Sequence, residues 1–138
     1  SLDDGPLSDW PDFFTEKCLY LIQPRDNYDA GLPMAVVRCE SRGMLQDRVN
    51  AVQETIMFEP RYLRHHITNI EADDASSDEF QVRANYSVIE VLNDDLPRIL
   101  SAGRYLDRVV LENGLLRFKE KRVIYDSVLV PNSLIYPL

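Results

Sequence analysis

Phe80-Gln81-Val82-Arg83-Ala84-Asn85-Tyr86-Ser87-Val88-Ile89-Glu90-Val91-Leu92 decides the fold class of this 138-residue chain. Successive side chains of an extended backbone point to opposite sides. Phe80, Val82, Ala84, Tyr86, Val88 and Leu92 therefore share one face, and Glu90 alone interrupts it. A period of two sustained this long predicts a strand with that face on the core. For Glu90 the ordinary reading is a carboxylate that meets an arginine or lies past the core edge.

Working outward, Asn93-Asp94-Asp95 signals a turn, and Arg98 to Leu111 reads as the next strand. Glu112-Asn113-Gly114 is a strong hairpin turn, because Asn and Gly accept the positive φ that tight turns need. Leu115 to Tyr125 follows as a strand, and a short one is expected near Leu134 to Tyr136. On the other side, Tyr62 to Glu71 reads as a strand. Residues 43–57 are the clearest helix: Ser41 caps it, and Leu45, Val49, Val52 and Ile56 form one apolar stripe. Pro60 stops any continuation. Further back, Ala35 to Glu40 and Cys18 to Gln23 read as strands, Pro24 to Pro33 as a loop, and Trp10, Phe13 and Phe14 as one helical face. Long antiparallel strands after a helical start predict one α+β domain over residues 1–138, a strongly curved antiparallel sheet wrapped on helices. That pattern is similar to the cone-shaped, cystatin-like fold of ketosteroid isomerases, scytalone dehydratases and nuclear transport factor two.

The formal net charge of −8 speaks against nucleic acid and anionic membrane surfaces, both of which call for clustered Lys and Arg. No apolar run approaches the roughly 20 residues of a spanning helix. Cys18 and Cys39 are the only cysteines. Their apolar surroundings predict buried, reduced thiols and a cytoplasmic setting.

Candidate chemistry is sparse. His65 and His66 are the only histidines, and neighbours on a strand face opposite ways, so they make a poor chelate. One is expected to be buried and hydrogen-bonded, the other to lie at a surface or interface. Acid–base catalysis in a cone pocket would pair a tyrosine with a carboxyl group. The candidates are Tyr20, Tyr86, Tyr105, Asp107, Glu40 and Glu90, and no spacing singles out a pair. No Gly-x-Ser-x-Gly elbow, Gly-rich phosphate loop, or paired Cys-x-His and Cys-x-x-His elements occur. Arg61, Arg64, Arg83, Arg104, Arg108, Arg117, Lys119, Lys121 and Arg122 lie on or near predicted strands, which suggests pairing across a sheet or at a subunit contact.

Five stretches in order resemble the small (beta) subunits of Rieske-type aromatic-ring-hydroxylating dioxygenases. They are Leu2-Asp3-Asp4 with Trp10-Pro11-Asp12-Phe13-Phe14 and Tyr20-Leu21; Glu40-Ser41 with Asp47-Arg48-Val49; Pro60 with Arg64-His65-His66-Ile67-Thr68-Asn69-Ile70; Gly103-Arg104-Tyr105-Leu106-Asp107; and Arg122-Val123-Ile124-Tyr125-Asp126-Ser127. The third is the most specific, being similar to that family's Arg-His-x-x-Thr-Asn-Val strand. Gln23-Pro24-Arg25, Gly31-Leu32-Pro33 and the segment 131–137 resemble salicylate hydroxylase small subunits, and the Trp-Pro-x-Phe-Phe segment resembles those of terephthalate dioxygenases. Family members carry about two more helical turns before Leu-Asp-Asp, so the start of the first helix is expected to be missing here.

The resemblance implies a non-catalytic structural subunit in the catabolism of aromatic compounds, with no cofactor or metal of its own. It implies a large catalytic partner that holds the Rieske iron–sulfur cluster and mononuclear iron, and that hydroxylates an aromatic carboxylic acid. It further implies a trimer of small subunits within a heterohexamer, with Arg61, Tyr62, Arg64, His65, Arg104, Asp107 and Tyr136 at subunit contacts. The other reading is a stand-alone cone-fold isomerase, dehydratase or small-ligand binder.

Overall fold

A computed structural model describes residues 1–56, 60–76, 78–127 and 136–138. A 3₁₀ helix (Leu7–Phe13) leads into β1 (Phe14–Pro24), α1 (Arg25–Asp29), β2 (Val37–Cys39) and α2 (Arg42–Ile56). Four long strands complete the chain: β3 (Arg61–Ser76), β4 (Glu79–Leu92), β5 (Arg98–Glu112) and β6 (Leu115–Tyr125). They form one six-stranded sheet in the order β2-β1-β6-β5-β4-β3. The sheet is curved and unclosed, as the α+β cone reading predicts.

Local rules account for most elements. On α2, the Ser41 hydroxyl accepts the Met44 backbone N–H at 3.2 Å and so caps the first turn. Leu45, Val49 and Val52 are fully buried against the 3₁₀ helix, β1 and β2, while the Ile56 side chain lies outside the described residues. Asn113 and Gly114 have φ of 51° and 77°, the two positive values of a tight hairpin turn, and Glu112 pairs directly with Leu115. Ala84, Tyr86, Val88 and Glu90 are the buried residues of β4, which follows the alternation in the sequence.

Curvature comes from irregular pairing. Register shifts fall between Thr68 and Glu71 on β3, between Val88 and Ile89 on β4, and between Arg108 and Val109 on β5. Each adds unpaired backbone on one strand, which bends and twists the ladder. Gly103 on β5 lies so close to the Ile124 carbonyl of β6 that a Cβ there would collide with backbone. The concave side holds the core, in which Trp10, Phe14 and Tyr20 pack edge to face.

Several expectations need correcting. The sheet is mixed, because β1 pairs with β6 in parallel. Tight turns specify only neighbours along the chain, and this pair joins the first strand to the last. Trp10, Phe13 and Phe14 do not share a helical face. Trp10 is buried on the 3₁₀ helix, Phe13 is half exposed, and Phe14 already starts β1. The Pro24–Pro33 loop contains the short helix α1, since Pro24 fixes an extended entry and Asp26 sits in the first turn. The strand expected near Leu134 to Tyr136 falls mostly outside the described residues; Tyr136 itself is buried.

Candidate functional site

A cavity of about 310 Å³ opens on the concave side, between the N-terminal segment and β3, β5 and β6. Its walls are mainly Trp10, Phe13, Ile67, Tyr105, Phe118 and Leu138, and its polar groups include Asp3, His65 and Lys121. The sequence places Lys121 there through a bulge. On β6, Phe118 pairs with Val109 and Glu120 with Arg108, so Lys119 is an extra residue. That insertion resets the alternation, and Phe118 and Lys121 reach the same side.

Lys121 and Asp107 are a directly opposed cross-strand pair, both buried, with Nζ donating to Asp107 Oδ2 at 3.0 Å. The ammonium lies 3.6 Å from the Tyr105 ring centre and 4.7 Å from that of Phe118. Burial holds Lys121 below the ordinary lysine range and Asp107 above the ordinary carboxylate range, and their attraction offsets part of each shift.

His65 is the second polar group. Asp3 accepts the His65 backbone N–H at 2.9 Å and meets ring Nδ1 at 2.5 Å. Partial burial raises the Asp3 carboxyl, but the hydrogen bonds and charge from His65, with Arg64 behind them, outweigh it and leave the pKa below the usual value. His65 Nε2 is buried and has no partner among the described residues. His66 points the other way and is exposed, so the two histidines divide as the sequence predicts.

The six candidates for acid–base work do not converge. The Tyr20 hydroxyl donates to the Leu138 carbonyl at 3.3 Å and accepts its N–H at 3.0 Å. The Tyr86 hydroxyl meets Ser101 Oγ at 2.9 Å, and its ring stacks on Tyr105 at 4.5 Å. Burial pushes all three phenols above the ordinary tyrosine range. Glu40 is exposed beside Arg38. Glu90 is fully buried and holds Arg61 at 2.8 Å and Arg98 at 2.6 Å, the arginine pairing that its place on an apolar face suggested. Only Tyr105 lines the cavity, and Asp107 touches it through Lys121.

Of the residues assigned to subunit contacts, Tyr62, Arg64 and Arg104 present side chains to the outside. The others correct the sequence reading of a surface position. The Arg61 and His65 side chains are buried, Asp107 pairs inward with Lys121, and Tyr136 is buried beneath the Arg61 guanidinium. Their partners lie far away in sequence, so no local pattern reveals them. Asp3 and Lys121 are site residues that the sequence alone does not single out. Lys121 had a signal: counting back by twos from Tyr125 and Val123 puts it on the buried face.

Among the described residues no donor set for iron is assembled. The two histidines face opposite sides, the two thiols are buried on β1 and β2, and no three metal-ligating side chains cluster among the described residues. Among the described residues no helix is long and apolar enough to cross a membrane.

The family model "Ring hydroxylating beta subunit" matches residues 1–132. The chain is 36% identical to the anthranilate 1,2-dioxygenase small subunit of Burkholderia cepacia over 137 residues, 99% of this chain and 85% of that protein. It is 29% identical to subunit beta 2 of the terephthalate 1,2-dioxygenase terminal oxygenase component of a Comamonas species, covering 100% of this chain and 90% of the other. A crystal structure from Novosphingobium aromaticivorans, described as the beta subunit of an aromatic-ring-hydroxylating dioxygenase, superposes with a TM-score of 0.88 at 38% identity, over 99% of this chain and 87% of that one.

Proposed function

Because this chain belongs to the ring hydroxylating beta subunit family, we propose that it serves as the small, non-catalytic subunit of an oxygenase acting on an aromatic carboxylic acid. The observation that carries this reading is the match to the family along nearly the whole chain, 36% identity to a small subunit over 137 residues included. The substrate class follows from the names of two relatives, anthranilate and terephthalate dioxygenases.

The partner is a large oxygenase subunit, and it holds the Rieske cluster and mononuclear iron. This chain's own donors do not fit either group, because His65 is held inward by Asp3 while His66 faces the opposite side. Three small subunits sit with three large ones, with Tyr62, Arg64 and Arg104 among the outward residues that meet neighbours. Arg61, His65, Asp107 and Tyr136 support those contacts from behind. The buried free thiols suit a cytoplasmic location.

The test is co-expression of the tagged chain with the large-subunit gene encoded beside it. A complex of several chains, with iron and acid-labile sulfide that stay with the large subunit on dissociation, is the expected result. A chain that never acquires a large partner would overturn the proposal.

A further inference from the structure

We propose that the concave cavity of this chain is a binding site for a small aromatic carboxylate. The inference rests on the chemistry of the cavity and not on the assembly role proposed above.

Size comes first. A volume of about 310 Å³ is at the small end of ligand pockets, which suits a single ring with one substituent. The walls come next. Trp10, Phe13, Tyr105 and Phe118 supply aromatic surface, and ring faces and edges bind a flat apolar guest well. Trp10 is held by edge-to-face packing on Phe14 and Tyr20, so that wall is set before a ligand arrives.

The polar atoms then select the guest. Lys121 carries three N–H donors, of which Asp107 takes one at 3.0 Å. His65 Nε2 is buried without a partner among the described residues, while Asp3 fixes the other side of the ring. Both Asp3 oxygens already accept N–H groups of His65, so this carboxylate is occupied. Asp107 already offsets the Lys121 charge, so what the cavity offers a guest is the remaining Lys121 N–H donors, a contact that suits one carboxylate and not a phosphate, which usually draws several cations. The carboxylate accepts from Lys121 and the ring lies along the aromatic wall.

The test uses the chain without the large subunit, so its failure cannot be confused with failure of assembly. Trp10 is the sole tryptophan and lines the cavity, so its fluorescence reports occupancy. Benzoate is expected to give a saturable change, and the neutral analogue benzamide to bind at least about tenfold more weakly. Lys121→Met brings benzoate down to the level of benzamide, and Ile67→Phe, at a half-exposed cavity position, weakens both. If Lys121→Met does not fold, the benzoate–benzamide comparison on the unaltered chain decides. No saturation by about 10 mM benzoate, equal affinity for the two probes, or unchanged affinity in folded Lys121→Met overturns the proposal.

Discussion

Arg61 and Glu90 form a salt bridge of 2.8 Å in which neither side chain is more than 2% exposed. They lie on the same face of adjacent strands, two residues out of direct register. Glu90 also holds Arg98, whose side chain is half exposed, and Arg61 lies over the Tyr136 ring. Glu90→Leu takes the carboxylate away from a buried guanidinium and is expected to cost about 3–5 kcal/mol. The double change Arg61→Met with Glu90→Leu removes both charges and should recover most of that loss. Urea unfolding of both variants measures the difference. Equal stability of the single and double variants would show that the ion pair is not what holds this corner.

The Asp3–His65 contact makes stability depend on pH. The folded carboxyl titrates below its ordinary value of 3.8, so the unfolded chain takes up its proton first on acidification. The stabilisation is complete above that value and is lost as pH falls through the folded pKa. Asp3→Asn is therefore expected to be less stable than the unaltered chain at neutral pH, by about 1 kcal/mol given the exposure of this carboxylate. The gap should close below the folded pKa. Unfolding curves from neutral to strongly acid pH check this, and a gap constant across the range would refute it.

Gly103 is predicted to tolerate no side chain. A Cβ there meets the Ile124 carbonyl, which is backbone and cannot swing aside. Gly103→Ala should separate β5 from β6 at the Gly103–Tyr125 pair and cost about 3 kcal/mol or more. Thermal unfolding followed by circular dichroism tests it.

The two cysteines should be chemically silent in the folded chain. Burial raises the Cys18 thiol to about 11 and moves Cys39 the same way, and only the thiolate is a good nucleophile. At about pH 8, a disulfide reagent is expected to label neither until denaturant is added. Rapid labelling of the native chain would contradict the structure.

Tyr62 offers the converse case. Its side chain is 71% exposed on the edge strand β3, so Tyr62→Asp should change the stability of the chain little, within about 0.5 kcal/mol. If this face meets the large subunit, the same change weakens assembly, as read by size-exclusion chromatography with light scattering. Undiminished assembly would remove Tyr62 from the contact.

The elements readable in the sequence were those with a clean period or a mandatory turn. Leu115 to Tyr125 has the same bounds in sequence and structure, because Asn113-Gly114 starts it and core residues end it. The far end of β3 was not readable. Ala72 and Asp73 pair with Val82 and Gln81 at exposed positions with no apolar alternation to mark them. The cavity was hidden for a related reason. Its polar pairs join residues 3 to 65 and 107 to 121, and only the bulge at Lys119 brings Phe118 to the face of Lys121. Tyr20, Tyr86 and Glu90 are buried, and of the two readings open for Glu90 the structure has the arginine contact, but which group meets which partner depends on strand order, and turns alone do not encode that order.

The parallel pairing of β1 with β6 also bears on how the chain is made. During synthesis β1 emerges first, yet its Leu19–Pro24 segment finds its parallel partner only when Glu120–Tyr125 has left the ribosome. Until then one side of β1 offers unpaired backbone groups to any passing strand. Contacts that span nearly the whole sequence also slow folding. Newly made chains are therefore expected to depend on chaperones or prompt release, and truncation within β6 should yield aggregates in place of a shortened fold.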